Sequence, residues 1–566
     1  MPKPPQKPSK SARPAAKSPS RPTSRPPVRP NSSPYQASSP YQARAGQAFR
    51  DQPEPWRRHQ EEPEAEAPKP RKPAPLRAYP ARFQVPETKA GAKAGNGREK
   101  SAQTTPSRVP AGKAGRPETA RPARRATMDP ASKPAPAAKS APARLDLPAP
   151  YAVASRRAGD NLRRGHLWVY ATEIEQIELG GQPGKLAAPA LIPVVDSRGI
   201  LLGTALYSPA SQIALRLVSR ELVDGAQWLT LVAERLRAAI ARRKPLLTAD
   251  TNACRLVFSE ADNLPGIIVD KYADIVVLQL LAKGLDSGEI RTICAEVLRE
   301  ELGSEHLTIW ERPDPRIREL EGLSAPTAAP LYSATPDAPV ASTIFRLNGL
   351  SFHFDVNSGQ KTGAFLDQRE NYAAAARWAE AKGATGKVLD VCTYQGGFAL
   401  HLARVCREVT GVDASRASLE VAERNLAENR AALRAEVEWV EGDAFEVLRG
   451  WAEPKSGSEA DRAWDLIVLD PPAFAKTKRA VEGALRGYKE LNLRALRMLR
   501  VGGLLVTCSC SHHVTWGELE AVVADAAVDA HRRVTLLERR GAAQDHPVLL
   551  NLPESEYLKC LICEVD

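Results

Sequence analysis

Residues 388–400 read VLDVCTYQGGFAL, an apolar run that meets an acid, crosses a glycine pair and re-enters an apolar run. Val388, Leu389 and Val391 favour a buried strand, and Phe398 to Leu400 can open a helix. Between them Gly396 and Gly397 allow a backbone to come close to a ligand, because no Cβ stands in the way. The pattern repeats downstream. EVTGVD (408–413), VEWVEGD (437–443), DLIVLD (465–470) and LLVTCS (504–509) are short apolar runs separated by helix-like stretches. One of these, SRASLEVAERNLAENR (415–430), begins on Ser415, a suitable N-cap. Strands alternating with helices predict an α/β domain with a parallel sheet and right-handed crossovers. Such sheets bind ligands at the carboxyl ends of their strands.

Acids close most of these runs. The first run closes in the Gly396-Gly397 loop, and the second ends in Asp413, about 20 residues on, where a carboxylate accepts hydrogen bonds from a ribose diol. Asp443 ends the third, and Asp470, followed by Pro471, Pro472, Ala473 and Phe474, ends the fourth. Each signal alone is weak. The loop is not GxGxxG, and one Asp at a strand end is often a helix N-cap. The glycine loop and three acids in this order predict an edge suited to a cationic ligand with a diol and further donors, which describes S-adenosylmethionine.

The next run, LLVTCSCSHH, places Cys508 and Cys510 at a strand end, beside Asp470 if the sheet has the expected order. Cytosine C5 is a poor nucleophile until a thiolate adds at C6 and makes it an enamine. A strand-end cysteine near cationic groups can supply that thiolate. Asp470 is then placed to hydrogen-bond N3 and protonate it as sulfur adds. The bland alternative is that both are inert buried thiols. Period-two alternation puts Cys508 and Cys510 on one face, so it does not choose between them.

The rest of the 566-residue chain divides by composition. Of 79 Lys and Arg and 67 Asp and Glu, residues 1–150 hold 30 and 11, leaving 49 and 56 for the remainder. This Pro/Ala-rich segment has too few Ile, Val and Leu to bury a core, so residues 1–145 read as a disordered basic tail. It is either an arm for polyanions or a plain solvated extension. A translation start at Met128 would remove most of it. Residues 146–222 form a small β-rich module and 223–344 a mixed α/β unit, with a helix over Trp228 to Arg243. Three strand-like runs follow, then a helix from Ser287 to Glu301, and residues 322–342 read as a polar loop. Residues 345–566 carry the alternating pattern. The eight cysteines lack the spacing of a secreted scaffold, which suits a reducing cytoplasm. Cys560 and Cys563 lie in the apolar run YLKCLICEV and read as buried strand rather than zinc ligands. No apolar run has the length of a membrane span, and the N-terminus lacks a signal-peptide core.

Together GQKTGAFLDQREN (359–371), VLDVCTYQGGFAL, DPPAFAKTK, RGYKELN, LLVTCSCS and AAQDHPVLLNLPESEYLK resemble the bacterial 23S rRNA large-subunit methyltransferase I family. RRGHLWVYATEIE and VVDSRGILLGTALYSPASQIALRL resemble its RNA-binding PUA domain, and RLVFSEADNLPGIIVDKY its central domain. The resemblance covers about Leu145 to Asp566. It implies a Rossmann-like methyltransferase fold, 5-methylcytosine formation in 23S rRNA or a large-subunit precursor, S-adenosylmethionine as donor, and commonly a homodimer. It also implies a cofactor site around Gln360, Lys361, Asp367, Arg369, Asp390, Tyr394, Gly396, Gly397, Asp413, Asp443 and Asp470. The family's SCS motif matches Ser509, Cys510 and Ser511, which favours Cys510 as nucleophile over Cys508. No cysteine follows Asp470-Pro471-Pro472, unlike the other class of RNA cytosine methyltransferases, so the base that releases the C5 proton is open.

Blander roles compete at several positions. Asp367 and Arg369 suit a surface ion pair, His546 a turn, His512 and His513 a solvated pair, and Trp168 and Tyr170 a core. Two other functions fit the chain less well. A related domain that makes 7-methylguanosine shares the DPP motif but has asparagines where this chain has Ser509-Cys510. An RNA-binding assembly factor with a decayed site would be expected to lose the glycine pair and acids first.

Overall fold

The computed structural model describes residues 147, 149–178, 190–312, 314–323, 326, 328–358, 362–452 and 464–566. The disorder expected over 1–145 and the assignments to Gln360 and Lys361 lie outside these residues.

The first module is a six-stranded sheet of β1 (Tyr151–Ala154), β2 (Trp168–Tyr170), β3 (Ile174–Glu178), β4 (Leu191–Asp196), β5 (Leu201–Tyr207) and β6 (Ile213–Ser219). Its spatial order is β2-β6-β5-β4-β1-β3, with β1 parallel to β4 and the other pairs antiparallel. A helix over Arg156–Arg163, which the sequence reading passed over, opens on Ser155, whose hydroxyl accepts from the Ala158 N–H.

The central unit is a five-stranded sheet in the order β11-β10-β9-β8-β7. Its strands are β7 (Ala253–Phe258), β8 (Ile267–Tyr272), β9 (Ile275–Leu280), β10 (Thr308–Glu311) and β11 (Tyr332–Ser333). The last lies within the stretch read as a polar loop; its two residues pair with β10, too short a strand to carry a pattern. Helices Gly225–Arg243 and Gly288–Leu302 pack on this sheet. A hairpin of β12 (Ser342–Leu347) and β13 (Leu350–Asp355) follows. Its Phe345 and Phe354 pack on Tyr272, so the central unit and the last domain share one apolar core.

The last domain holds seven strands: β14 (Lys387–Val391), β15 (Glu408–Asp413), β16 (Glu436–Glu441), β17 (Trp464–Leu469), β18 (Leu499–Ser509), β19 (Val534–Arg540) and β20 (Lys559–Val565). They stand in the order β16-β15-β14-β17-β18-β20-β19. The first five are mutually parallel, and β20 runs antiparallel to both neighbours. After β16 the chain crosses back over β14 to lay down β17, which makes a switch point between β14 and β17. Helices Arg369–Ala381 and Gly397–Ala403 cover one face; Val481–Met498 and Trp516–Asp529 cover the other. Strand alternation sends Cys560 to the first core and Cys563 to the second, so this pair is split across the sheet and holds no single ion. Among the described residues, no helix is long and apolar enough to cross a membrane.

Candidate active site

The strand order fixes the site. Read along the carboxyl edge from β16, the residues that close the strands are Asp443, Asp413, Asp390, Asp470 and then the Cys508–Cys510 turn. Four acids and a thiol from five separate chain segments stand in one row because each lies at or just beyond the carboxyl end of a parallel strand.

The glycine loop at the switch point is built under strain. Cys392 has φ 64°, Tyr394 φ 53° and Gly396 φ 86°, three left-handed residues within five. Two of them carry side chains, a strain that clusters at ligand sites. The loop is tied down on both sides. Thr393 N–H bonds Val412 O at 2.9 Å, and Tyr394 N–H bonds an Asp413 carboxylate oxygen at 2.9 Å. The other oxygen of Asp413 accepts from Ser415 N–H at 2.9 Å. Burial pushes the Asp413 carboxyl up against these two hydrogen bonds. Asp390 is wholly buried; one oxygen accepts from Thr393 Oγ1 at 2.6 Å and Ala399 N–H at 2.9 Å, while Oδ1 has no protein partner. Burial pushes its pKa up to about 7.

Three glycines keep the edge open. A Cβ on Gly396 would stand 3.0 Å from the Trp439 ring, one on Gly411 2.4 Å from that ring, and one on Gly397 2.5 Å from Tyr372 Cζ. A glycine cradle, an orphaned buried carboxylate oxygen and half-buried Asp413 and Asp443 fit a cationic donor with a ribose diol. Asp443 also caps the next helix, accepting from Phe445 N–H at 2.9 Å, so here the N-cap role and the edge position coincide.

Beneath the loop, His401 Nδ1 lies 2.8 Å from Gly397 O and Asn348 Nδ2 lies 3.0 Å from its Nε2. This network sets the proton on Nδ1 of a neutral ring. Burial pushes the imidazole down to about 4 from an ordinary 6.5. A base depressed on folding stabilises the fold above its unfolded pKa and loses that contribution as pH falls. Between pH 6.5 and 4 the loss is on the order of 3 kcal/mol. Asp390, a carboxyl raised on folding, has the opposite sign between its ordinary 3.8 and about 7. The wild-type minus His401→Gln difference in urea midpoint therefore isolates the imidazole. It should shrink as pH falls through this window; parallel curves would refute the assignment.

Asp470 is reached from the motif DQREN, but by members the sequence reading did not select. Gln368 Nε2 donates to Asp470 Oδ1 at 2.9 Å, and Asn371 Nδ2 donates to Gln368 Oε1 at 2.6 Å. Arg540 Nε in turn donates to Asn371 Oδ1 at 2.9 Å. The i, i+3 spacing of Gln368 and Asn371 was the available signal, since it puts both on one side of a helical turn. Asp367 and Arg369 bond instead to the segment around 543–557, and Arg369 also reaches Ala253 O of the central unit at 3.4 Å. Asp367 accepts from the Tyr557 hydroxyl, and buried Arg369 pairs with buried Asp545 at 3.3 Å. The two are therefore not a surface ion pair; both hold the segment in place. His546 shapes a turn, with its N–H on Ala543 O, and its ring lies 3.2 Å from the Asp545 carboxylate.

The segment entering this motif hangs from the central sheet. Arg255 grips Asp270 through two hydrogen bonds of 2.7 and 2.8 Å. Asp270 accepts from Thr362 Oγ1 at 2.5 Å, and the Tyr272 hydroxyl lies 2.9 Å from the same oxygen. On the site side, Tyr394 Oη donates to Gly363 O at 3.0 Å. Thr362→Val should weaken binding of S-adenosylmethionine about tenfold, the worth of one to two buried hydrogen bonds. Calorimetric titration checks this, and an unchanged affinity would contradict it.

The two cysteines differ sharply. Cys508 is fully buried and faces Cys560 across β18 and β20. Burial holds its thiol well above the ordinary range, as do neighbouring Cys560 and Asp470. Cys510 lies one residue beyond the end of β18, so alternation does not extend to it. It is half-buried, with Sγ 3.9 Å from Pro471 O, directly after Asp470. His512 is exposed but not isolated, with Nδ1 3.1 Å from Glu554 O.

This geometry defines a methyltransferase of the Rossmann-like class that takes its methyl group from S-adenosylmethionine. The family model for S-adenosylmethionine-dependent methyltransferases matches residues 329–547, and that for PUA-like domains matches 155–220. The Ribosomal RNA large subunit methyltransferase I of Pseudoalteromonas translucida is 37% identical over 412 residues, 72% of this chain and 96% of that protein. The protein of the same name from Citrobacter koseri is 34% identical over 407 residues, again 72% and 96%. The chain belongs to the ribosomal RNA large subunit methyltransferase I family. Among solved structures, one described as an S-adenosylmethionine-dependent methyltransferase of Streptococcus mutans matches with a TM-score of 0.58 at 20% identity, covering 73% of this chain and 99% of that one. Another methyltransferase, solved in complex with S-adenosylhomocysteine, matches with a TM-score of 0.57 and the same identity and coverage. Both likenesses concern the fold.

Proposed function

We propose that this chain methylates large-subunit ribosomal RNA at C5 of a cytosine, through a covalent bond between Cys510 and C6. The observation that carries the reading is the position of Cys510: a half-buried thiol at a strand end, next to the carboxylate row and against the Pro471 carbonyl. The names of the relatives support the RNA class.

When bound, the donor supplies a sulfonium methyl. The Cys510 thiolate adds to C6, and the C5–C6 electron pair becomes nucleophilic at C5. Asp470, oriented by Gln368, hydrogen-bonds the N3 edge and carries the proton that neutralises the ring. C5 takes the methyl, a base removes the C5 proton, the returning electron pair expels the thiolate, and N3 gives its proton back to Asp470. Cys508 takes no part, since its thiol is sealed in the core.

A cleft of about 560 Å³ supports an RNA path to this edge. Arg157, Asn161, His166 and Tyr170 of the first module form one wall, and Lys478 and Glu554 of the last domain the other. Its size and mixed polar lining fit a nucleotide in a single-stranded segment. Tyr170 faces this cleft rather than a core, while Trp168 Nε1 donates to Glu260 of the central unit at 2.8 Å. The test is a nucleoside digest of unmodified 23S transcript after reaction with labelled donor. Label in 5-methylcytidine is expected; label in 7-methylguanosine would overturn the reading.

A further inference from the structure

Lys559 is the second residue of sequence LK in the C-terminal motif, at the start of β20, and nothing in the steps above uses it. Its side chain is almost wholly buried, and Nζ donates to Ser511 O at 2.9 Å. Among the described ion pairs, none includes Lys559. A buried ammonium without an anion is costly, so its surroundings should contain a group that can become one. That group is Cys510, next in sequence to the carbonyl that Lys559 holds and within its electrostatic reach.

We infer that Lys559 is a positioning residue for Cys510: its ammonium fixes the Ser509–Ser511 turn and makes the thiolate the favoured form of the neighbouring sulfur. The inference rests on Cys510 being the nucleophile. The ammonium neither gives nor takes a proton; the thiol proton passes to solvent, and the negative charge left on sulfur is balanced by the ammonium.

The other groups around the turn do not replace it. The Tyr488 hydroxyl accepts from Ser509 Oγ at 2.9 Å and lies 3.1 Å from Ser511 Oγ, and burial holds the phenol at about 12. Both serine hydroxyls are thus committed to Tyr488 on the face away from the central unit. Asp470, on the neighbouring strand end, is an acid and supplies no positive charge to the turn. Glu556 and Glu518 act on Lys559 and help keep it charged, while burial pulls its pKa down. His512 is engaged by the Glu554 carbonyl and the Tyr557 ring. Lys559 is the buried cation that holds the turn directly.

The experiment uses the full chain and reads alkylation of Cys510 by iodoacetamide against pH, resolved by peptide mass spectrometry, beside the pH profile of methylation. In wild type the midpoint should lie below the ordinary thiol value of about 8.5. Lys559→Met should raise it by at least about one unit, slow alkylation roughly tenfold at pH 7.5, and lower methylation in a way that alkaline pH partly restores. A merely structural role would not give that alkaline rescue. The same midpoint in both proteins would overturn the inference. Should Lys559→Met fail to fold, a wild-type midpoint at or above about 8.5 overturns it alone. Cys510→Ala, assayed alongside, separates the two claims. Methylation surviving in that variant defeats the nucleophile reading; its loss with an unshifted midpoint defeats only the role of Lys559.

Discussion

Replacing Cys510 with Ala should abolish methylation, lowering the rate by at least about 10³-fold, or about 4 kcal/mol in barrier. Affinity for S-adenosylmethionine should stay within about threefold, because the donor site is formed by the glycine loop and the acids of β14 to β16. Cys508→Ala is the matched control. Its thiol lies in the core against Cys560, so the cost should appear in stability and not in the chemical step. Single-turnover methylation of 23S transcript, with cofactor binding followed by calorimetry, separates these outcomes. Equal loss in both variants would mean that the strand end, not the sulfur, is what matters.

The second large effect concerns stability. Asp545→Ala should destabilise the fold by about 3–5 kcal/mol, because it removes the buried partner of the Arg369 guanidinium. Asp545 is fully buried, pairs with Arg369 at 3.3 Å and accepts from Arg255 N–H at 2.8 Å. Burial alone would raise its carboxyl, but His546, Arg369 and the Arg255 N–H outweigh it and hold the carboxyl down at about 2. Arg243 adds a hydrogen bond to the Asp545 carbonyl at 3.0 Å. The DHP turn is therefore a bolt between the central unit and the last domain. A carboxyl depressed on folding stabilises at neutral pH and loses that contribution as pH falls from about 3.8 towards 2. The urea midpoint at pH 7 measures the effect, and a change under 1 kcal/mol would contradict this role.

The architecture of the last domain was legible because period and punctuation agree there. Short apolar runs end in Asp413, Asp443 and Asp470, and parallel strands bring these acids to one edge. Ser415 capped its helix as read, with Oγ accepting from Ser418 N–H at 3.2 Å. What was hidden depends on contacts between distant segments. Asp367 and Arg369 sit in a motif that resemblance assigns to the cofactor, yet their partners come from 545 to 557. Gln368, between them, supplies the bond to Asp470. Cys508 and Cys510 shared a face only on the premise that the strand continues, and β18 stops at Ser509. Lys559 looks in sequence like any lysine entering a strand, and only the pairing of β18 with β20 brings it to the turn.

The central claim is a covalent bond from Cys510 to the target base, and 23S transcript carrying 5-fluorocytosine tests it most directly. After methyl transfer, fluorine at C5 cannot leave as a proton does, so the returning electron pair never forms and the thiolate is not expelled. A donor-dependent protein–RNA adduct, mapped by mass spectrometry to the peptide containing Cys510 and absent from Cys510→Ala, is the predicted result. Full methylation of normal transcript with no adduct on the fluorinated one, or an adduct on another residue, would contradict it.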